Sequence, residues 1–429
     1  MRADRRAEAV AALAAVRERW RAAGDARMLV RAARHYEGAA AVCTSLCVRS
    51  CLVVSPSAAP APPEGAWALA QAPARIDLAG GWSDTPPVCY EHGGLVICAA
   101  ISVEGRCPIG ARARRLRDPI VRLLMGGAPI VCTELAHLED HASPLAPGAL
   151  PKTVLVFCGL VDLGPDAAPL ADQLRARGGG IEIESWSRLP QGSGLGTSSI
   201  LAAALVACVS SALGVRRDAS DLTHAVLQVE QLLTTGGGWQ DQVGGILPGV
   251  KACSSAAALP LAVTSDVLPL PSAALQTLSR HLQLIYTGKT RLARNLLQDV
   301  LRRWYSANPA IVANVDGLIA NAGECRAALL RGDLAAVGAC LDAYWEQKKR
   351  MCDAEPPAVT KMLARLRPLV HGAALAGAGG GGFLFCVTKE PDAADAVRAA
   401  LDGEGELREV AIDEDGLRCS VQQPGEPAP

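Results

Sequence analysis

Leu189–Leu201 reads LPQGSGLGTSSIL, and an alanine-rich apolar run follows it. Its three alternating glycines can adopt positive φ angles and let the backbone approach a ligand closely. The hydroxyls of Thr197, Ser198 and Ser199 come next, where they can cap a helix or reach a phosphate-bound metal. Backbone N–H groups at the start of a helix attract negative charge. The stretch therefore predicts a phosphate-binding loop, and a plain glycine loop before a capped helix is the alternative.

Two well-known nucleotide motifs do not describe this loop. No lysine follows the glycines, as the usual P-loop requires, and the glycine spacing differs from that of the dinucleotide-binding fingerprint. The interpretation of the loop therefore depends on the rest of the chain.

The composition indicates a globular protein with a balanced charge. The 429 residues are long for a single hydrophobic core, so we expect two domains. Half of the residues are hydrophobic and the net charge is −1, which points to neither a nucleic-acid partner nor an anionic membrane surface. No apolar run is long enough to span a bilayer. The oligomeric state stays open.

The fifteen cysteines are scattered and odd in number, and the N-terminus carries no secretory signal. Reduced thiols and a cytoplasmic location are therefore expected. Cys43, Cys47 and Cys51 recur every four residues, which places them on one helix face. We expect buried thiols there, since a metal site would need a fourth ligand.

The clearest boundary in the chain is a Pro/Ala linker, Ser55–Gly65, which follows a helical N-terminal region. Beyond it, helical and strand patterns mix without a repeating βα unit, which favours an α+β fold over a doubly wound one. Asp218–Thr234 has helical periodicity, and Asp218 or Ser220 can cap that helix. The segment WQDQVGGILPGVKAC, which begins at Trp239, is expected to be a loop and then a strand. Leu407–Ile412 is predicted to be one strand.

A second glycine loop occurs in Ala373–Val387, AALAGAGGGGFLFCV. Gly377, Gly379 and Gly382 match the pattern G-x-G-x-x-G, but the loop leads into an apolar strand instead of a helix. This context disfavours a nicotinamide-dependent oxidoreductase. A tight turn that supports the first glycine loop is expected.

Several charged side chains stand out because of their surroundings. Arg75 and Asp77 interrupt an apolar strand, where charges are costly unless they are paired or used. Asp84 follows GGWS in a polar loop, and Asp241 lies between glycines, which suggests that a ligand approaches closely. A turn-stabilising role is the alternative for Asp241. Glu230 alone would be taken for part of a solvated helix face.

Four motifs in order resemble the signature motifs of the GHMP small-molecule kinases: APARIDLAGGWSDTPP, LPQGSGLGTSSI, GGGWQDQVGG and GAGGGG. The resemblance implies an α+β GHMP kinase fold, with an N-terminal mixed α/β lobe over 67–260 and a ferredoxin-like C-terminal lobe over 274–422. A helical extension and linker would occupy 1–66. Because only those residues precede the motifs, the chain resembles a short or C-terminal form of longer members. Its first helices are expected to pair with a domain that this sequence lacks.

The resemblance also implies a role for each site residue. Asp241 would be the base or positioning group for a sugar hydroxyl, Arg75 would stabilise charge on the transferring phosphoryl group, and Asp84 would bind sugar hydroxyls. Ser198 and Glu230 would hold Mg²⁺. The ATP phosphates would lie against Gly192, Ser193, Gly194, Leu195, Gly196, Thr197, Ser198 and Ser199.

The implied reaction is transfer of phosphate from ATP, with Mg²⁺, to the anomeric hydroxyl of a sugar. GGWSDTPP, WQDQ and YTGKTRLA (Tyr286–Ala293) resemble the branch of the family that acts on deoxy sugars and heptoses. L-fucose is the expected sugar, and a heptose is the alternative. Phosphoryl transfer needs positioning and charge neutralisation, which these residue types supply. A non-catalytic sugar or nucleotide sensor on the same fold is the alternative from another class, and the presence of the transfer residues disfavours it.

Overall fold

The computed structural model describes residues 38–51, 56–288, 293–352 and 355–426, together with Glu8, residues 11–16, 18–19 and Ala22. Helices and strands mix along these residues, which confirms the α+β class. Among them, no helix combines the length and apolar character that crossing a bilayer would require.

The strands form four sheets within the described residues. In chain order they are β1 (Ser57–Ala58), β2 (Trp67–Ala72), β3 (Ala74–Ala79), β4 (Gly94–Val103), β5 (Ile109–Leu116), β6 (Val121–Leu124), β7 (Ile130–Cys132), β8 (Gly180–Ser187), β9 (Val215–Arg216), β10 (Val250–Ser255), β11 (Val263–Val267), β12 (Leu282–Tyr286), β13 (Val370–Leu375), β14 (Phe383–Thr388), β15 (Glu406–Arg408), β16 (Val410–Ile412) and β17 (Arg418–Gln422).

A helix over residues 38–48, named here the N-terminal helix, precedes the labelled helices. These are α1 (Val88–Glu91), α2 (Ala149–Phe157), α3 (Leu170–Ala176), α4 (Thr197–Ala212), α5 (Ala219–Leu232), α6 (Gln240–Ile246), α7 (Ser272–His281), α8 (Ala293–Tyr305), α9 (Pro309–Arg331), α10 (Leu334–Met351), α11 (Pro357–Leu366) and α12 (Ala394–Leu401). A 3₁₀ helix covers Leu135–Ala142.

The first half of the fold is built on a six-stranded and a five-stranded sheet. The six-stranded sheet has the order β17-β2-β5-β8-β6-β7, and its β6–β8 pair is parallel. Apolar and charged residues alternate along β8, so its two faces have different surroundings. Ile181 and Ile183 pack in the apolar core, while Glu182 on the opposite face pairs with Arg114 and Arg122. Helix α4 is apolar on all sides and packs against β2 and β5, as a fully buried helix should.

The five-stranded sheet has the order β11-β10-β4-β16, and β3 also pairs with β4. Helices α9 and α10 pack against β3, and so does the short helix α6. This places β3, which carries Arg75, between the two halves of the chain.

The second half is a four-stranded antiparallel sheet of order β13-β14-β12-β15 covered by helices. Its first strand β12 is followed by helices, then by β13, β14, α12 and β15. This is the split βαβ connectivity of a ferredoxin-like lobe, as the resemblance implied.

Two expectations from the sequence need correction. Residues 240–246, expected to be a loop, form helix α6. The predicted strand Leu407–Ile412 is two strands, β15 and β16, which belong to different sheets. The pairing of the first helices with a domain that this sequence lacks stays a prediction, and most of residues 1–37 lie outside the described part of the chain. The N-terminal helix does pack on the main fold, since Cys43, Cys47 and Cys51 share a core cluster with Tyr90 and Trp239. These three thiols are buried, as expected.

The lobe boundaries 67–260 and 274–422 stay a prediction. The structure adds that the last strands of the second range join the sheets of the first, since β16 pairs with β4 and β17 pairs with β2.

The contact between α10 and β13 depends on glycine. A Cβ at Gly338 would lie 2.3 Å from the Cβ of His371, and one at Gly372 would lie 1.9 Å from the carbonyl oxygen of Gly338. We expect Gly338→Ala to lower the free energy of unfolding by about 1–3 kcal/mol, because an overpacked backbone contact must shift. Denaturant unfolding measures the change.

The matched control is Gly323→Ala in the neighbouring helix α9, where an added Cβ meets nothing within 4 Å. This variant should gain about 0.5–1 kcal/mol from helix propensity. Equal effects of the two substitutions would contradict the packing argument.

Candidate active site

The first glycine loop has the backbone conformation that its sequence predicts. Gly192, Gly194 and Gly196 have φ angles of 72°, 75° and 76°, and helix α4 begins directly after them at Thr197. The Thr197 and Ser193 hydroxyls lie 3.0 Å apart, which holds the loop against the first helical turn. The loop therefore presents backbone N–H groups and a helix N-terminus together.

The second glycine loop packs directly on the first. A Cβ at Gly377 would lie 2.7 Å from the carbonyl oxygen of Gly194, and one at Gly382 would lie 2.4 Å from that of Ser193. The Phe383 N–H also donates to the Ser193 carbonyl at 2.9 Å. Glycine is required here because two backbones are in contact, which agrees with the supporting role expected for this loop.

Arg75 lies at the centre of the site, and its guanidinium is almost completely buried. Its Nε and Nη2 donate to Oδ1 of Asp241 at 3.0 and 2.6 Å, and its Nη1 donates to Oδ1 of Asp77 at 3.1 Å. The same Nη1 donates to the Gly194 carbonyl of the glycine loop at 2.8 Å. Burial alone would lower the pKa of Arg75, but the charges of Asp241 and Asp77 raise it.

Small residues make room for this guanidinium. A Cβ at Gly244 would lie 2.6 Å from the Cβ of Arg75, and one at Gly196 would lie 3.0 Å from its Cγ. Gly244 therefore lets helix α6 pack closely on Arg75, as Gly245 lets it pack on Ile200.

Asp77 connects Arg75 to the second lobe. Its carboxylate accepts from Tyr344, from Lys348 Nζ at 2.7 Å and from the Gly377 N–H at 2.9 Å. Burial opposes its ionisation, but Lys348 and Arg75 outweigh that effect and lower the pKa of Asp77. Tyr344 and Lys348 were not predicted, because they lie on helix α10, about 270 residues from Asp77 in sequence.

Asp84 and Glu230 form the acidic part of the site. Asp84 accepts from the Trp82 and Gln240 N–H groups at 3.1 and 3.2 Å. Burial raises the pKa of Asp84 to about 7, and the charge of Asp241 adds to the shift. Burial also raises the pKa of Glu230 to about 7, where a hydrogen bond from Ser199 opposes the shift and Asp241 adds to it.

The structure separates the three hydroxyls at the start of α4. Ser199 donates to Oε1 of Glu230 and is buried with it, whereas Ser198 is exposed. The pairing of Ser198 with Glu230 at a metal stays a prediction, and Ser199 is the partner that sequence reasoning missed. Consecutive helical residues point in different directions, so the motif alone does not tell which hydroxyl meets α5.

The acidic residues fit a divalent cation that is partly held by its substrate. Oε2 of Glu230 is buried and has no hydrogen-bond partner among the residues described. Two carboxyl groups with a pKa of about 7 lie within the electrostatic reach of Asp241. The described residues contain no full cluster of three metal-binding side chains. Mg²⁺ needs no such cluster, since it usually takes one or two protein ligands together with phosphates and water.

Comparison with known families matches two regions of the chain. Residues 167–249 match the GHMP kinases N terminal domain, and residues 325–407 match the GHMP kinases C terminal domain. Together these regions match the two halves of the GHMP kinase fold. The first match contains the glycine loop, Glu230 and Asp241, and the second contains Tyr344, Lys348 and the second glycine loop.

Curated relatives of this chain include two bifunctional proteins. The chain is 34% identical over 339 residues to an L-fucokinase/L-fucose-1-P guanylyltransferase of Bacteroides fragilis, covering 77% of this chain and 35% of the relative. It is 33% identical over 346 residues to a bifunctional fucokinase/GDP-fucose pyrophosphorylase of Arabidopsis thaliana, covering 78% and 31%. The chain thus spans about a third of the length of these relatives.

Solved structures share the fold. Lactococcus lactis galactokinase complexed with galactose superposes with a TM-score of 0.61 at 17% identity, covering 82% of this chain and 95% of that one. A D-glycero-D-manno-heptose 1-phosphate kinase from Bacteroides thetaiotaomicron gives 0.60 at 19% identity, covering 82% and 98%. At this identity the likeness establishes the GHMP kinase fold alone.

The raised pKa values of Asp84 and Glu230 predict how stability depends on pH. Unfolded carboxyl groups have a pKa of about 4, so between about pH 4 and pH 7 the folded protein binds more protons than the unfolded chain. Their contribution to the free energy of unfolding must therefore decrease as pH rises through that window. Glu230→Gln should be insensitive to this effect, so its stability relative to the wild type should increase from pH 5 to pH 8.

Asp392→Asn is the control, because Arg280 holds the pKa of that exposed carboxyl below its usual value. A carboxyl group with a lowered pKa makes its full contribution to stability above about pH 4. The difference in free energy of unfolding between Asp392→Asn and the wild type should therefore stay constant from pH 5 to pH 8. Parallel stability curves for Glu230→Gln and the wild type would contradict the assigned shift.

Proposed function

We propose that this chain is an ATP-dependent sugar kinase that phosphorylates the anomeric hydroxyl of L-fucose to give fucose 1-phosphate. The names of the two curated relatives support L-fucose as the substrate, and the GHMP kinase domains support phosphoryl transfer. The fifteen thiols, all free in the structure, are compatible with a reducing cytoplasm.

The observation that carries the proposal is the way Arg75 binds Asp241. Both contacts go to Oδ1, so Oδ2 receives no hydrogen bond among the described residues, and the Asp241 side chain is 30% exposed. A carboxylate held by one oxygen and open at the other can accept a proton from a substrate hydroxyl. The same guanidinium bonds to the glycine loop, so base, cation and phosphate loop are held together.

In this mechanism the residues divide the tasks of phosphate binding, sugar binding, proton transfer and charge stabilisation. Gly192, Ser193, Gly194, Leu195, Gly196, Thr197, Ser198 and Ser199 form the loop whose N–H groups and hydroxyls bind the ATP phosphates. Asp84 binds sugar hydroxyls, and Asp241 accepts the proton of the anomeric hydroxyl through Oδ2. Arg75 stabilises the charge that develops during transfer and orients Asp241.

Glu230 and Ser198 are the residues that would hold Mg²⁺, and Ser199 would orient Glu230. A bound Mg²⁺ supplies charge neutralisation for the phosphates. The positive charge that a P-loop lysine usually provides is supplied here by Arg75 from a neighbouring strand.

The decisive test is ATP consumption in the presence of a panel of free sugars that includes L-fucose and heptoses. Turnover should depend on L-fucose, and Asp241→Asn should lower kcat by about 10²–10⁴-fold while ATP still binds, because only the proton acceptor is lost. Asp395→Asn, at an exposed carboxylate paired with Arg398, is the matched control and should be unchanged.

ATP binding without turnover of any sugar would favour the sensor. Turnover that depends on a heptose alone would identify a heptose as the substrate in place of L-fucose. Wild-type turnover by Asp241→Asn would overturn the role proposed for that residue.

Two different measurements distinguish the proposed roles of Ser198 and Ser199. Ser199→Ala removes a hydrogen bond that lowers the pKa of Glu230, so the acidic limb of kcat/KM should move to higher pH. Ser198→Ala should instead raise the half-saturating Mg²⁺ concentration by about tenfold, since it removes a proposed ligand. The Mg²⁺ titrations are made at alkaline pH, where Glu230 is ionised. An increased Mg²⁺ requirement in Ser199→Ala alone would make Ser199 the ligand.

A further inference from the structure

A large cavity is lined in part by sequence neighbours of Asp84 and Glu230, and neither matched family domain contains all of its walls. Its volume is about 790 Å³, within the usual range for small-molecule sites. One wall is the N-terminal helix, with Ala41 and Ser45 among its lining residues. This helix precedes the first matched residue by more than a hundred positions.

The other walls come from segments that carry the proposed site. Pro86 follows Asp84 by two residues, and Gln231 is the neighbour of Glu230 in α5. The loop of Thr234, Thr235 and Gly236 completes this side, and the Thr235 N–H donates to the Glu230 carbonyl at 3.0 Å. The loop continues into Gly238, where a Cβ would lie 1.9 Å from Oδ2 of Asp84. The lining therefore includes close sequence neighbours of Asp84 and Glu230 on two independent chain segments.

The lining has the chemistry of a site for a neutral polyol with an apolar part. Hydroxyl and amide groups come from the N-terminal helix and α5, while Leu297 and Leu301 of α8 are apolar. Among the described residues of the lining the charged one is Arg302, and Asp299 lies 3.6 Å from its guanidinium. These described residues offer a phosphorylated sugar no further cation to offset its charge.

One polar group in the lining lacks a partner. Nε2 of Gln231 is buried and makes no hydrogen bond to any described residue. A buried amide without a partner costs free energy that a ligand oxygen can recover. Because Gln231 lines the cavity, a rotation of its side chain would bring this amide to a ligand oxygen there.

We propose that the cavity is the chamber for the acceptor sugar, with the N-terminal helix as its outer wall and Gln231 as a specificity-determining residue. The proposal rests on the proposed sugar kinase activity and adds a part of the chain outside the matched kinase domains. A 6-deoxy sugar such as L-fucose suits the lining, because it combines hydroxyl groups with one methyl group.

The first test is a substitution on the N-terminal helix that reduces the volume of the cavity. Ala41→Trp places a large side chain on a lining position, and Ala39→Trp places the same side chain on an exposed position of the same helix that does not line the cavity. Initial rates give KM for L-fucose and for ATP in each variant. Ala41→Trp should raise KM for L-fucose by about tenfold or more and leave KM for ATP within about twofold, with Ala39→Trp unchanged.

Gln231→Leu is a second variant that does not depend on filling the chamber. It removes the amide at nearly constant volume, and it should raise KM for L-fucose without a matching change for ATP. Thermal melting shows whether each variant is folded. Unchanged KM for L-fucose in both Ala41→Trp and Gln231→Leu would overturn the chamber, and a selective rise in KM for ATP would make the cavity part of the nucleotide site.

Calorimetric titration separates this proposal from the proposed function. If the wild type binds L-fucose without turning it over, and Ala41→Trp removes that binding, the cavity is the sugar site but the proposed kinase activity is wrong. If the wild type binds no free sugar and turns none over, both fail. Binding of a hexose 6-phosphate as tightly as L-fucose would contradict a chamber for neutral sugars.

Discussion

One buried guanidinium holds the candidate site together. Arg75 bonds inward to Asp77 and outward to Asp241, and it also bonds to the Gly194 carbonyl. Because Asp77 also accepts from Lys348, the ion pairs join β3 of the first lobe to α10 of the second. Buried charges of this kind are stable only as a set, since removing one leaves its partner desolvated and uncompensated. The position of the proposed base therefore depends on both lobes at once.

Local patterns predicted the elements whose side chains follow a simple period. Helical periodicity predicted α5, and of the two possible caps Asp218 is the one that accepts from the Asp221 N–H. Patterns failed where tertiary contacts decided the outcome. The sequence suggested a loop at Gly244 and Gly245, but both lie in helix α6. Glycine stands at these positions because a Cβ there would clash with Arg75 or Ile200, and the local sequence does not show these contacts.

The sequence predicted which residues belong to the site better than it predicted which of them contact one another. Arg75 and Asp77 stood out because charges in an apolar strand need partners, and the structure supplies those partners. Motif order identified the loop and the acidic residues through their resemblance to a family. The choice of Ser199 as the partner of Glu230 could not be predicted, because it depends on how α4 and α5 face each other. The N-terminal helix likewise carried no motif that linked it to the site.

The return of β16 and β17 to the first lobe has a consequence for how the chain is made. Strand β2 pairs with β5 nearby in sequence, but its other edge is covered by β17, about 350 residues later. During synthesis this edge of β2 stays unpaired until β17 leaves the ribosome, and exposed strand edges favour aggregation. A variant cut before Arg418 would keep Arg75, Asp241 and both glycine loops, yet the longer strand β2 would replace β17 as the edge strand of that sheet.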